Sequence, residues 1–222
     1  MIINVGQPPS TVESSATQVA YSTLRDLILT GELAPGEKLK IDSLREVLEM
    51  GASPIREALS LLTSDQLVVR QDQRGFRTAG ISVENFKEIL ELRCQLEGIA
   101  LSQSIQNASE AWIEELVVVH HRMIRASSGP GKNFETFHKE FYLKVIGNCN
   151  SLLLLGFCSQ LYDLNIRYRY IAARAFDYEA RMIGDEHQRI VGAVVESDFD
   201  LDNELLCNHY KTTGAFVMSD IK

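Results

Sequence analysis

The chain has 222 residues, room for one large or two modest domains, and a hydrophobic fraction of 45% that can supply a packed core. No run of about 18 apolar residues is present, which excludes a membrane-spanning helix of the usual kind. The net charge of −8 excludes a protein that coats nucleic acid through bulk positive charge, but not one that reads DNA through a local patch.

No basic segment followed by an apolar stretch opens the chain, so no signal peptide is read. The four cysteines (Cys94, Cys149, Cys158 and Cys207) show no CxxC spacing. Together these point to reduced thiols and a cytoplasmic protein.

Residues 1–14 are polar, carry Pro8-Pro9 and lack a period, which reads as a flexible tail. From Ser15 to Thr30, Val19, Leu24, Leu27 and Ile28 form a helical stripe that Gly31 ends. The stretch Gly31–Glu37 reads as a structured turn. A second helix runs from Ile41 to Met50, with Leu44, Val47 and Leu48 inward, Asp42 as its cap and Gly51 closing it. Ser53-Pro54 then opens a third helix as N-cap and first helical position, with Ile55, Ala58, Leu59 and Leu62 on one face. Leu67–Arg70 reads as a strand, Asp72–Gly75 as a turn and Phe76–Thr78 as the return strand. Arg70, Arg74 and Arg77 stand there against Asp72 alone. Three helices plus a β-hairpin with a cationic tip make a winged helix-turn-helix over residues 15–80, a DNA-binding domain whose third helix enters a major groove.

Beyond Gly80 every periodic segment is helical. Ser82 caps a helix to about Gln106, with Phe86, Ile89, Leu90, Arg93, Leu96, Glu97 and Ala100 along one side. Ser109–Ala126 follows, anchored by Trp112, Leu116 and Val119; residues 127–131 (SSGPG) are a loop. Phe134–Ile146, Leu152–Phe176, about Tyr178–Ser197 and about Leu201–Met218 complete six helices. The fold class is therefore mostly α: a winged helix-turn-helix followed, over residues 81–222, by an all-α antiparallel bundle large enough to hold a ligand in its core.

GELAPGEKL (residues 31–39), SPIREAL (53–59) and the RGF of the wing (74–76) resemble GntR-type regulators. The helical remainder is similar to the FCD effector domain of the FadR subfamily. HKEFY, LYDLNIRYRYI, EHQRIVGAV and NHY further resemble the carbon-starvation-induced, glutarate-responsive branch. The resemblance implies a homodimeric transcription regulator, a repressor, that binds a palindromic operator in double-stranded DNA and answers to a small carboxylate or dicarboxylate. It gives Arg56 the reading of a base, a role suited to a guanidinium that can bond guanine bidentately. Ser53 would meet a phosphate or base at the helix N-terminus. Gly75 would let the wing approach the backbone, with Arg74 and Arg77 beside it. Gly51 and Ala52 stand where Ser and Arg are usual, so a second base-reading arginine is missing. The competing reading of Arg56 is a surface pair with Glu57 or Glu49.

His120 and His121, adjacent on one helix, read as solvated or partly buried positions. His138, His187 and His209 lie on separate helices and match, by the same resemblance, metal-ligand positions of the FCD domain. Three imidazoles in a bundle core suit Zn, Ni or another first-row divalent ion. His138 stands at the usual Asp position, and Tyr142 at a position usually occupied by His. Two outcomes stay open: a three-His metal site with Tyr142 at its edge, or histidines that bind effector directly. Arg93 matches the family arginine that clamps a carboxylate; its bland alternative is an exposed pair with Glu97. Tyr142 and Arg169 join it as effector-binding residues. In RYRYI (167–171) only some of Arg167, Tyr168 and Arg169 are expected to face inward.

Two other functions compete. A metal hydrolase would need a general base beside a metal-bound water. Glu186 adjoins His187, but adjacency along a helix is expected to point it elsewhere, and neither HExxH nor GxSxG occurs. A metabolite-binding protein without DNA binding is suggested by Gly51-Ala52 and the acidic first domain.

Overall fold

The computed structural model describes residues 14–72, 74–127, 134–173, 183–197 and 199–220. Most of the expected tail, the loop after Ser127, Gln73 of the hairpin and the expected helix start at Tyr178 lie outside the described residues. The chain divides into two compact units, Met1–Gly80 and Ile81–Lys222.

The first unit contains α1 (Ala16–Leu29), β1 (Lys38–Leu39), α2 (Ile41–Leu48), α3 (Ala52–Ser64), β2 (Val68–Gln71) and β3 (Gly75–Thr78). Ser15 caps α1 by accepting the Gln18 N–H. α1 packs on α3, burying Ala20, Leu24 and Ile28 with Ile55, Ala58, Leu59 and Leu62. The wing is an antiparallel pair with Val68 opposite Thr78 and Gln71 opposite Gly75. Gly75 has φ +89°, a left-handed conformation that favours glycine.

Five local expectations are corrected. The cap of α3 is Gly51, not Ser53; Ser53 and Pro54 lie within the first turn, where the missing proline N–H has no intrahelical partner to lose. α2 is capped at Lys40 rather than Asp42, and it ends on a left-handed Glu49 rather than on Gly51. Val47 is 69% exposed, because in a helix of two turns only Leu44 and Leu48, four apart, share the inward face. Finally, the turn before α2 ends in a strand: β1 pairs with β3, giving the sheet order β1-β3-β2. Two residues are too few for an alternation signal. Thr78 holds the turn in place, donating to the Ala34 carbonyl (2.5 Å) and accepting from the Glu37 N–H (2.9 Å).

The second unit comprises α4 (Val83–Gln106), α5 (Glu110–Ser127), α6 (Phe134–Val145), α7 (Leu152–Ala173), α8 (Ile183–Glu196) and α9 (Phe199–Asp220). Ser82 caps α4 through the Asn85 N–H. Side-chain links fix the directions. Arg93 meets Asn165 while Asn85 meets Tyr168, so α4 and α7 are antiparallel. Glu135 meets Arg169 and Lys139 meets Asp163, so α6 and α7 are antiparallel as well. α4 packs against both α7 and α9, and α5 against α6 and α8. Arg167, Tyr168 and Arg169 are all buried, contrary to the expectation for consecutive residues. α7 packs against α4, α6 and α9, so Tyr168 meets α4 while Arg169 meets α6. Among the described residues no helix is long and apolar enough to cross a membrane.

Candidate functional site

In the first unit, Arg56 projects from the exposed face of α3 and makes no side-chain hydrogen bond or ion pair among the described residues. Its neighbour Glu57 is engaged elsewhere, accepting from Thr17 (2.8 Å) and Ser53 (3.3 Å). The N-terminus of α3 has no side-chain cap, which leaves the first-turn N–H groups of Ala52 and Ser53 open to an anion.

The wing arginines separate into two kinds. Arg74 is exposed beyond the turn, which its N–H closes onto the Gln71 carbonyl (3.0 Å). Arg77 is tied down: Nε donates to Gln71 (3.0 Å) and Nη1 to the Gly36 carbonyl (2.9 Å). Arg70, which the sequence reading counted as hairpin charge without giving it a role, is exposed and has no side-chain partner among the described residues. Strand alternation alone did not distinguish these cases, because the Gly36 carbonyl arrives from the turn before β1.

The second unit brings His138 of α6, His187 of α8 and His209 of α9 together. All three are buried, and each offers one ring nitrogen within 4.8 Å of the other two. The ring centroids of His138 and His187 lie 5.2 Å apart, those of His187 and His209 4.9 Å. Each imidazole has a positioning partner. Tyr142 places its hydroxyl 2.9 Å from His187 Nε2. Tyr162, which the sequence reading missed, lies 2.6 Å from His138 Nδ1. Glu186 accepts from His209 Nδ1 across 2.5 Å. Glu186 therefore does face the cluster, contrary to expectation. It reaches across to the next helix instead of following His187, its own neighbour.

Burial first, then the Arg169 guanidinium and the neighbouring imidazoles, hold His138 well below the ordinary imidazole range, so the ring is neutral. Its Nε2 is buried and has no hydrogen-bond partner among the described residues. Arg169 Nη1 lies 3.4 Å from the other ring nitrogen, and Nη2 donates to Glu135 (3.1 Å). The Tyr162 hydroxyl can also donate to Glu135 (3.4 Å), and burial pushes its pKa well up, so it keeps its proton. That proton sets the tautomer of His138. When it points to Glu135, Nδ1–H donates to Tyr162 and Nε2 keeps a lone pair. When it points to Nδ1, Nε2 carries the proton and becomes a donor.

Arg93 lies beside this cluster, with its guanidinium carbon 5.8 Å from the Tyr142 ring centre and 3.9 Å from that of Tyr210. Nε and Nη2 are bonded to Glu97 (2.6 and 3.3 Å) and Nη1 to Asn165 (3.0 Å), and Tyr210 donates to Glu97. The pair is buried, not the exposed one weighed from sequence. Of the remaining histidines, His120 is buried against Phe141 and His121 is exposed.

The sequence matches two family descriptions: bacterial regulatory proteins, gntR family, over residues 16–77, and the FCD domain over residues 88–212. It is 29% identical to the HTH-type transcriptional repressor GlaR of Escherichia coli K12, over 86% of this chain and 91% of that protein. It is 31% identical to the HTH-type transcriptional regulator BphR of Paraburkholderia xenovorans LB400, over 91% and 85%. In fold it is similar to E. coli McbR/YncC (TM-score 0.81, 21% identity, 93% of this chain and 99% of that one). A putative GntR regulator from Rhodococcus sp. RHA1 is also similar (TM-score 0.73, 17% identity, 95% and 100%). The chain thus belongs to the gntR family of bacterial regulatory proteins: it is a DNA-binding transcription regulator with a C-terminal FCD domain, and not an enzyme.

Proposed function

We propose that this regulator is a homodimeric repressor that binds a palindromic operator and is released from it by a small carboxylate or dicarboxylate held at the histidine cluster. The observation that carries the effector reading is the buried Nε2 of His138, without a hydrogen-bond partner among the described residues, on a ring whose Nδ1 lies 3.4 Å from the Arg169 guanidinium. A proton on Nε2 makes it a donor to a carboxylate, and the cation compensates the negative charge. Tyr142 offers a hydroxyl at the same place. Arg93, whose charge Glu97 already balances, would act on the carboxylate through the one edge not bonded to Glu97. That a relative bears the name repressor supports the sign of the regulation.

In the head, Arg56 is proposed to read a base, with Ser53 and the bare start of α3 on a phosphate. Arg74 and Gly75 would meet the DNA backbone at the wing. Arg77 would act there by holding the wing in shape. A twofold operator follows from a symmetric dimer. Release requires that the effector bind the DNA-incompetent state more tightly than the competent one.

The cluster also fits a divalent ion such as Zn or Ni. Its three imidazoles include one held neutral by burial, and Glu186 and Tyr162 fix His209 and His138 by their Nδ1 atoms, as carboxylate–histidine–metal sites do. His138, His187 and His209 would hold the ion, which would supply a Lewis-acidic point for a carboxylate oxygen. The Tyr142 hydroxyl on His187 and the Arg169 cation beside His138 are what such an ion would compete with.

The deciding experiment is fluorescence anisotropy of the full chain on DNA from its own upstream region, at fixed salt, with dicarboxylates including glutarate titrated in. Sequence-specific binding that a dicarboxylate abolishes is expected. Absence of specific binding overturns the operator reading, while specific binding that no carboxylate alters overturns the effector reading. Elemental analysis of the same preparation reads the metal.

A further inference from the structure

α4 and α9 pack against each other. A Cβ built on Gly98 would lie 2.7 Å from the Asn203 side-chain oxygen, so a larger residue there would require that side chain to move. A Cβ on Gly214 would likewise meet Leu90, so the two helices run antiparallel and in contact over several turns. One turn from Gly98 towards the start of α4, and one turn from Asn203 towards the end of α9, the residues that face each other are Cys94 and Cys207. The Cys207 sulfur lies 4.0 Å from the Cys94 carbonyl oxygen and 3.9 Å from Asn203 Oδ1. Both are half-buried. Cys94, Gly98 and Asn203 line an open groove of about 580 Å³ whose other walls include Gln95, Gln103 and Gln106.

We propose that Cys94 and Cys207 are a site of oxidative modification, at which a peroxide converts the two thiols into an intrachain disulfide joining α4 to α9. A disulfide needs Cα atoms within about 4.4–6.8 Å. The packing of α4 on α9 puts the Cys207 sulfur against the backbone of Cys94, one turn from the Gly98–Asn203 contact. The groove, which Cys94 lines, gives a small oxidant access to that thiol.

The step balances with hydrogen peroxide as the oxidant. One thiolate attacks a peroxide oxygen, the O–O bond breaks, and hydroxide leaves to take up a proton as water. The second thiol attacks the sulfenic sulfur. An S–S bond forms, the S–O bond breaks, and the oxygen departs with the proton as a second water. Two thiols lose two electrons and one peroxide gains them.

The other two cysteines are poorer substrates. Cys149 and Cys158 are buried, and burial pushes the Cys158 thiol up to about 12, which suppresses its thiolate. The linkage would fasten together the two helices that carry Arg93 and Glu97 on one side and His209 and Tyr210 on the other, and thereby stiffen the pocket. The inference rests on helix packing and does not depend on which ligand the pocket takes.

The test uses the reduced full chain exposed to hydrogen peroxide, quenched with an alkylating agent and mapped by mass spectrometry without reduction. A chain lighter by two hydrogen atoms is expected. Its alkylatable thiols should fall from four to two, a Cys94 peptide should be joined to a Cys207 peptide, and dithiothreitol should restore all four. Cys94→Ser and Cys207→Ser should each abolish the link. Four thiols retained, oxygen added to single cysteines, or a link through Cys149, Cys158 or a second chain would each overturn the proposal. Because the wild-type map decides the matter, a variant that folds poorly does not obscure it.

Discussion

Glu97 holds Arg93 from one helical turn away, at 2.6 Å, with both side chains at most 4% exposed. Removing one member of a buried pair strands the other charge. Glu97→Ala is therefore expected to lose about 3–5 kcal/mol of folding stability, far more than the roughly 0.3–0.5 kcal/mol of an exposed pair at the same spacing. Glu97→Gln, which keeps an acceptor for Tyr210, should lose less. Denaturant midpoints check this, and a midpoint unmoved by Glu97→Ala would show that the pair contributes nothing.

Arg56→Ala is expected to weaken operator binding by about 1–3 kcal/mol while leaving the fold and non-specific DNA affinity nearly unchanged. The residue has no partner in the described chain, so its removal leaves no group unsatisfied. Anisotropy on operator and scrambled duplexes separates the two affinities. An equal loss on both would reduce Arg56 to a phosphate contact.

Arg74 and Arg77, three residues apart on one wing, should respond differently. Arg74→Ala is expected to lower affinity for all duplexes and to reduce the salt dependence by about one counterion. Arg77→Ala releases bonds to Gln71 and to the Gly36 carbonyl, and should lower stability by about 1–2 kcal/mol. Thermal melts beside salt titrations read both effects; a stable Arg77→Ala protein with a reduced salt slope would place that arginine on DNA.

Glu186→Gln tests the orientation of His209. If the cluster binds a divalent ion, loss of the carboxylate that fixes Nδ1 should weaken metal affinity about 10–100-fold with the three imidazoles intact. Calorimetric titration of Zn or Ni into metal-stripped protein measures it. An unchanged affinity would leave Glu186 with no part in the site.

Stability should fall with acid. His138 and His120 have folded-state values below the ordinary imidazole value of about 6.5, chiefly through burial. Below that value the unfolded chain takes up protons that the native chain refuses. The stability they contribute is fully present above about pH 6.5 and declines as pH drops below it, by up to about 1.4 kcal/mol per pH unit for each histidine. Melting temperatures of metal-stripped protein between pH 8 and pH 5 should show the decline, and His138→Asn should make it shallower. A flat profile would mean that both rings are accessible to protons in the native state.

Much of the architecture was legible in the sequence because it is written locally. The period of Leu24, Ile28, Ile55, Leu59 and Leu62, the serine cap at Ser82 and the glycine at the wing each act within a few residues. They fixed the helices, the hairpin and the order of a winged head before a helical bundle, and the motifs around Arg56 and the three histidines carried the family. The errors were local as well. Gly51 rather than Ser53 caps α3, and β1 is too short to announce itself.

What only the tertiary structure decided is which neighbour each polar side chain found, since those partners come from other elements. Arg77 is bound by a carbonyl from the turn before β1, and Glu186 turns from His187 to His209. Tyr162 of α7 meets Nδ1 of His138 on α6, and Glu97 is buried with Arg93 because α7 and α9 close over them. A hydrogen bond depends on a few tenths of an ångström between atoms far apart in the chain. Hydrophobic periodicity fixes which face of a helix is buried, and helix packing then fixes which atoms meet there.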